Sequence, residues 1–140
     1  MCEDLPEDHN RVTLDPNLVD SDGIPAPKID YRISENSMKM LKHGQERARK
    51  VLAAAGAKEI RTYGPARLAG WHLMGTARMG SDPGNSVVND RGRCHDVRNL
   101  FIVDGSIFVT SASVNPTSTI QALALYVADS MKRNLANLFD

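Results

Sequence analysis

The sequence lacks an excess of charge of either sign and lacks any long apolar run. Its 140 residues include 17 basic and 17 acidic side chains, so the net charge at pH 7 is zero. A chain without a basic field has nothing to hold nucleic acid or an anionic lipid surface. No apolar run approaches the roughly 18 residues that indicate a membrane-spanning helix. We therefore expect neither nucleic acid nor a membrane span among the partners of this chain.

Cysteine is also scarce. Cys2 and Cys94 are far apart and belong to no CxxC pair, which excludes a disulfide framework. Cys94 precedes His95, a pair that invites a metal interpretation, but two further ligands at suitable spacing are missing. We expect no metal site and two reduced, chemically quiet thiols. Such thiols favour a reducing compartment such as the cytoplasm, although localisation stays open.

The third absence is a Gly-rich dinucleotide fingerprint. No GxGxxG occurs in the sequence, and the acidic residue expected about 20 positions after such a motif is therefore also missing. The chain therefore contains no complete Rossmann unit that could hold an ADP pyrophosphate on a helix start.

Periodicity predicts a mixed α+β or α/β chain. Apolar positions at helical spacing predict an amphipathic helix that starts after the cap residue Ser34 and stops at Gly56. A second helix is predicted over Thr117–Leu138. Alternating or continuous apolar segments predict short strands at Arg11–Leu14, Lys28–Ile33, Glu59–Tyr63, Asn85–Asn89 and Leu100–Val103, with a tight turn at Asp90–Arg93.

The Leu100–Val103 segment (LFIV) is continuously apolar and is typical of a strand buried on both faces. Such a strand needs neighbouring strands and covering helices, and the sequence offers few candidates. We therefore expect the remaining strands of its sheet to lie upstream of Met1, in a longer protein. Apolar runs of four residues also occur in small α+β cores, so this alternative stays open.

Three segments carry candidate chemistry. His72 lies in WHLMGTARMG, and histidine is the usual side chain for moving a proton near neutral pH. With apolar neighbours, it is expected in a place of low polarity, although a lone histidine is more often structural. Asp104 and Gly105 end the predicted strand, where a carboxylate could hold a ribityl or ribose hydroxyl. The alternative there is a simple strand-to-loop turn.

The third segment is Asn115-Pro116-Thr117. Proline suits the first turn of a helix, which places Asn115 at the cap position. Free N–H groups and partial positive charge at a helix start stabilise a developing anion, such as the N1–C2=O region of a reduced flavin. The alternative is ordinary capping.

Residues 71–131 closely resemble the C-terminal region of the glucose–methanol–choline (GMC) flavin oxidoreductases. The matching segments are HLMGTARMG and VVNDRGRCHDVRNLFIVDGSIFVTSASVNPTSTIQALALYVAD. EDLP, NRVTLD and DGIPAP extend the resemblance more loosely towards the start. This resemblance implies the C-terminal portion of a two-domain flavoprotein. Residues 1–98 would be a substrate-binding segment with the active-site histidine, and residues 99–140 a strand and C-terminal helix returning to the FAD domain.

The resemblance also implies site roles and a cofactor, FAD. His72 would accept the hydroxyl proton of an alcohol or sugar, and Asn115 would hydrogen-bond the substrate hydroxyl. Asp104 and Gly105 would approach the FAD phosphate and ribityl region. Asn115, Pro116 and Thr117 would lie against the flavin pyrimidine edge. Arg78 is expected to order the loop beside His72 through hydrogen bonds.

Three functional interpretations remain open at this point. The chain is the C-terminal portion of an FAD-dependent enzyme acting on CH–OH donors, or a small subunit that completes the site with an N-terminal FAD-binding partner, or a non-catalytic fragment. Because most of the FAD site is absent from its residues, we expect the chain alone to be inactive. The sequence identifies neither the alcohol, nor the electron acceptor, nor the oligomeric state.

Overall fold

The computed structural model describes residues 3–65, 70–111 and 114–137. Its contacts divide the chain into two compact units, Met1–Leu68 and Ala69–Asp140. The first unit contains a two-stranded sheet and a long helix, and the second contains a helix packed with turns and short paired segments. The α+β class predicted from the sequence is thereby confirmed.

The sheet of the first unit consists of β1 (Arg11–Val19) and β2 (Pro25–Asp30), which pair antiparallel. Both lie where strands were predicted, but β1 is longer and β2 is shifted towards the N-terminus. An irregularity interrupts β1 between Leu14 and Val19, where the Asp15 carboxylate accepts hydrogen bonds from the amides of Asn17 and Leu18. This local bonding lets the strand resume after the interruption.

One face of this sheet is apolar and exposed. Val12 pairs with Ile29 and Leu14 pairs with Pro27, so these side chains share a face. Leu14 and Ile29 are 67% and 73% exposed. The described residues therefore leave the apolar face of the sheet uncovered.

Helix α1 (Glu35–Ala54) begins and ends as predicted. The Ser34 hydroxyl accepts a hydrogen bond from the Ser37 amide at 3.1 Å, which satisfies one of the free donors of the first turn. At the other end Gly56 has a φ of +84°, the left-handed conformation that terminates helices at glycine. Local signals alone therefore set both helix boundaries.

The core of the second unit is small and lies around Val88, Cys94 and Ile107, against which four half-buried apolar side chains pack. Isolated β-bridges join Met79 to Val88 and Val88 to Cys94 instead of a continuous sheet. Cys94 behaves as the small buried hydrophobe expected of it; Cys2 lies outside the described residues.

Two predicted strands are wrong. Residues 59–63 form no strand, and within Leu100–Val103 only Phe101 pairs, in an isolated bridge with Arg93. Leu100 and Val103 are 45% and 40% exposed, so the segment is not buried on both faces. A strand requires a neighbour to satisfy its backbone groups. Among the described residues, 59–63 have none, and 100–103 have only the short stretch 92–94, whose hydrogen bonds with Leu100 and Ile102 measure 2.9 and 2.8 Å. The predicted strand at 85–89 is likewise reduced to the bridges of Val88.

The predicted tight turn at Asp90–Arg93 is confirmed. The Gly92 amide donates to the Asn89 carbonyl at 3.0 Å, and the Asn89 side chain accepts from the amides of Arg91 and Arg93. The turn is attached to the second helix, since the Arg91 guanidinium lies 5.7 Å from the centre of the Tyr126 ring.

Helix α2 covers Thr117–Arg133 and is followed by a 3₁₀ turn at Leu135–Asn137. It ends earlier than predicted, and Leu138 lies outside the described residues. In the part of the chain that the structure describes, neither helix is both long and apolar enough to cross a bilayer.

Candidate active site

The loop that follows His72 runs alongside the short 3₁₀ helix Gly105–Ile107. The amides of Gly75, Ala77 and Met79 donate in turn to the carbonyls of Gly105, Ser106 and Ile107, at 3.3, 2.9 and 2.8 Å. Two of the three motifs singled out from the sequence are thereby aligned with each other. The loop segment is not a regular strand, since residues 76–77 form a turn and Gly75 has a φ of +87°.

Gly105 is the point at which all three motifs meet. A Cβ atom at this position would lie 3.2 Å from the Leu73 carbonyl oxygen and 3.2 Å from the Ile120 side chain of α2. Any other residue would crowd both neighbours, so glycine permits the segment after His72, the Asp104 turn and the start of α2 to converge. The arrangement is made entirely within the second unit.

Asp104 caps the 3₁₀ helix instead of ending a strand. Its Oδ1 accepts from the Ser106 hydroxyl at 2.5 Å and from the Ser106 amide at 2.8 Å. These two hydrogen bonds, the hydroxyl's first, lower the pKa of the Asp104 carboxyl below its ordinary value. The carboxylate is therefore held ionised with one oxygen engaged, and it is exposed on the surface.

His72 is exposed, and so are the side chains on both sides of it. Trp71 is 88% exposed and Leu73 is 77% exposed. The expectation of a low-polarity environment is wrong for the described residues, because the apolar neighbours point into solvent and do not enclose the imidazole.

Helix α2 starts at Thr117 as predicted, but its cap residue is a different one. The Pro116 carbonyl accepts the first helical hydrogen bond, from the Ile120 amide at 2.9 Å, which makes Pro116 and not Asn115 the cap residue. Proline has no side-chain acceptor, so no cap residue satisfies the amides of the first turn, which also contains no acidic residue. Thr117 and Asn115 are exposed. This set of free donors fits an electron-rich ligand edge such as a flavin pyrimidine.

Arg78 orders the loop as expected, through hydrogen bonds from Nε to the Asn85 carbonyl and from Nη2 to the Asn85 side chain. Sequence reasoning missed a second contact at the same loop. His95 Nε2 lies 2.9 Å from the Ser86 hydroxyl and 3.1 Å from the Gly80 carbonyl oxygen. In the sequence, His95 is singled out only by the Cys94-His95 pair, whose functional interpretation is a metal motif.

Among the residues that the structure describes, no three His, Cys, Asp or Glu side chains are grouped so that they could hold a metal ion. His95 is therefore accounted for by the hydrogen bonds it makes to the loop.

A family model described as GMC oxidoreductase matches residues 6–124, and the chain belongs to that family. Members of this family are FAD flavoproteins, and the chain corresponds to their C-terminal domain.

Among the relatives, 2-methyl-1,2-propanediol dehydrogenase from Mycolicibacterium austroafricanum is 44% identical over 99% of this chain and 25% of its own length. The 6'''-hydroxyparomomycin C oxidase from Streptomyces lividus is 41% identical over 95% of this chain and 24% of its own length. The fructose dehydrogenase large subunit from Gluconobacter japonicus is 35% identical over 95% of this chain and 24% of its own length. The chain thus spans about a quarter of the length of the curated relatives it matches.

Proposed function

We propose that this chain supplies the proton acceptor and part of the flavin-binding surface of an FAD-dependent oxidoreductase acting on CH–OH groups of alcohols or sugars. The observation that supports this most directly is the convergence at Gly105 of the segments that carry His72, Asp104 and the start of α2. These motifs come from distant parts of the sequence, and ordinary capping or turn formation would not require them to meet.

His72 accepts the proton of the substrate hydroxyl, because imidazole is a base suited to neutral pH and this one is accessible. Asn115 hydrogen-bonds the same hydroxyl and orients it towards the histidine. The chemistry that bound FAD would supply is acceptance of a hydride from the substrate carbon.

The remaining residues bind the cofactor. Asn115, Pro116 and Thr117 would lie against the pyrimidine edge of the flavin, where the free amides of the first turn, from Thr117 onwards, would stabilise negative charge. Asp104 uses its second carboxylate oxygen, Oδ2, for a ribityl or ribose hydroxyl while Ser106 holds Oδ1 in place. Gly105 allows the cofactor to approach the backbone.

The proposal requires further protein that binds the ADP part of FAD, and the surface of the chain is consistent with that requirement. Large apolar side chains on the described residues are exposed, among them Leu14, Ile29 and Trp71 at 67%, 73% and 88%. We propose that residues 1–98 belong to the substrate domain and residues 99–140 to the FAD domain of the complete protein. A separately encoded FAD-binding subunit would serve equally.

The test uses the chain together with its FAD-binding portion. His72→Ala should lower kcat by about 10²- to 10⁴-fold, the range for loss of a general base, while the flavin absorbance of the purified protein is retained. His43→Ala provides the matched control, because His43 is exposed on α1 in the other unit. Alcohol oxidation at near-normal rates in His72→Ala would remove this histidine from the role. Failure of the wild-type protein to bind FAD would overturn the proposal itself.

A further inference from the structure

His95 contacts the far end of the loop that starts at His72. Its ring is half-buried, and Nε2 lies 3.1 Å from the Gly80 carbonyl oxygen and 2.9 Å from the Ser86 hydroxyl. The proposed reaction uses neither His95 nor Ser86 as a chemical group. Their contact therefore requires a separate explanation.

The hydrogen-bond partners determine which ring nitrogen carries the proton. The Gly80 carbonyl is an acceptor only, and the Ser86 hydroxyl already donates to the Asp82 carbonyl at 2.6 Å. Both groups near Nε2 therefore present lone pairs, and Nε2 must be the protonated nitrogen that donates to them. A bare Nε2 would face two acceptors and repel both.

Gly80 is held from two sides. Its carbonyl accepts from His95, and its amide donates to the Val88 carbonyl at 2.8 Å. The His95 amide in turn donates to the Val87 carbonyl at 3.0 Å, so the histidine is fixed to the same segment that holds the Gly80 amide. A Cβ at Gly80 would lie 2.9 Å from the Ser86 Cβ, which shows how closely the loop end approaches this group.

We propose that His95 is a positioning residue that fixes the register of residues 75–80 against Gly105–Ile107. The proposal rests on the proposed function only for its catalytic consequence, which is the placement of His72 relative to Gly105. Three backbone hydrogen bonds pair the loop with Gly105–Ile107, and the bond nearest His72 is the longest, at 3.3 Å. The Val87 amide and the Val88 carbonyl also bond to Arg78 and Gly80, so His95 acts together with that stretch of backbone. A base acts over roughly 3 Å, so displacing His72 by about an ångström is enough to weaken it. The contact at Gly80 opposes such a displacement of the loop.

The first experiment measures amide hydrogen exchange by NMR in the 140-residue chain. His95→Leu removes the donor, and we expect exchange at Ala77, Met79 and Gly80 to accelerate about 10-fold, the effect of losing one hydrogen bond. The Ile102 amide, which bonds to Gly92 elsewhere in the unit, should change less than about 2-fold. His43→Leu, in the other unit, is the control and should leave these loop amides unaffected. Unchanged exchange at the three loop amides in His95→Leu would overturn the proposal.

A second measurement needs no variant and covers the case in which His95→Leu fails to fold. Nitrogen NMR of the His95 ring in the wild-type chain should show the proton on Nε2 and slow exchange of that proton. A ring protonated at Nδ1 with a bare Nε2 contradicts the assignment and with it the proposal.

The complete FAD-containing protein then separates positioning from stability. His95→Leu should lower kcat about 10- to 100-fold, the effect of misplacing a catalytic group by about an ångström, with KM within about 3-fold. His95→Gln keeps an N–H donor at similar reach and should recover most of kcat. Equal losses in both variants, or a normal kcat in His95→Leu, would refute the positioning role. A wild-type protein without alcohol oxidation would refute the proposed function, and the exchange result in the chain would still decide whether His95 holds the loop.

Discussion

The replacement of Gly92 by alanine is the most direct test of how the second unit is packed. Gly92 has a φ of +69°, and a Cβ on it would lie 2.6 Å from the Ile102 carbonyl oxygen. The left-handed conformation costs an L-residue about 1–2 kcal/mol. The contact is with backbone, so it cannot be relieved by a rotamer change, and forcing an extra methyl into such a space costs about 1–3 kcal/mol more. We expect the free energy of unfolding to fall by about 2–5 kcal/mol.

Alanine variants of two other glycines distinguish the cost of the left-handed backbone from the cost of the steric contact. Gly56 has a φ of +84° and open space around its Cβ position, so Gly56→Ala should show the conformational cost alone. Gly75 lies in the same unit as Gly92 with a φ of +87°, and its Cβ would meet the Phe108 carbonyl oxygen at 3.2 Å. Gly75→Ala should therefore fall between the other two variants.

The assay is urea unfolding followed by circular dichroism, with the slope of the transition checked for each variant. With a slope of about 2 kcal/mol per molar urea, Gly92→Ala should lower the midpoint by about 1–2.5 M. If it lowers stability no more than Gly56→Ala does, Ile102 does not pack on Gly92 as described. The account of how residues 89–94 are attached to the core would then fail.

Two further predictions concern titrating groups. Ser106→Ala removes the main cause of the lowered pKa of Asp104, so that pKa should rise in a carboxyl NMR titration. A carboxyl whose pKa is lower in the folded than in the unfolded chain stabilises the fold at pH values above the unfolded pKa, and this stabilisation is lost as pH falls. Acid unfolding of Ser106→Ala should therefore begin at a higher pH than that of the wild-type chain. An unchanged Asp104 pKa in the variant would contradict this. Burial, then the hydrogen bond and charge of Asp4, raise the pKa of Tyr31 to about 12. In Asp4→Asn the phenolate absorbance should appear at lower pH, yet still above 10.0 because burial remains; no change would exclude Asp4 as a cause.

The parts of the fold that follow from local signals could be predicted from the sequence. The ends of α1 are determined by a serine cap and a left-handed glycine, and both act on neighbouring residues. The turn at Asp90–Arg93 is similarly determined by Asn89 and Gly92. In each case the interacting groups are within a few residues of one another, so the sequence contains the whole explanation.

The burial of residues 100–103 could not be predicted in the same way. An apolar run indicates that a segment is suited to burial, but burial itself depends on the residues that pack against the segment. In this structure the packing residues leave Leu100 and Val103 partly exposed. The contact of His95 with Gly80 is equally non-local, because 15 residues separate them. The adjacent Cys94 makes the Cys94-His95 pair resemble a metal motif. The His95 ring instead hydrogen-bonds to a backbone carbonyl, and no sequence pattern indicates that contact.

The pairing of residues 75–79 with 105–107 has a consequence for synthesis of the protein. Thirty residues separate Gly75 from Gly105, and chains are made from the N-terminus. The segment that follows His72 therefore leaves the ribosome before its partner exists, and its amides have only water to bond with until Ile107 emerges. Closing a loop of this length adds an entropic cost that grows slowly with its length. The segment that follows His72 is thus expected to be among the last parts of the unit to become ordered, after Ile107 has been made.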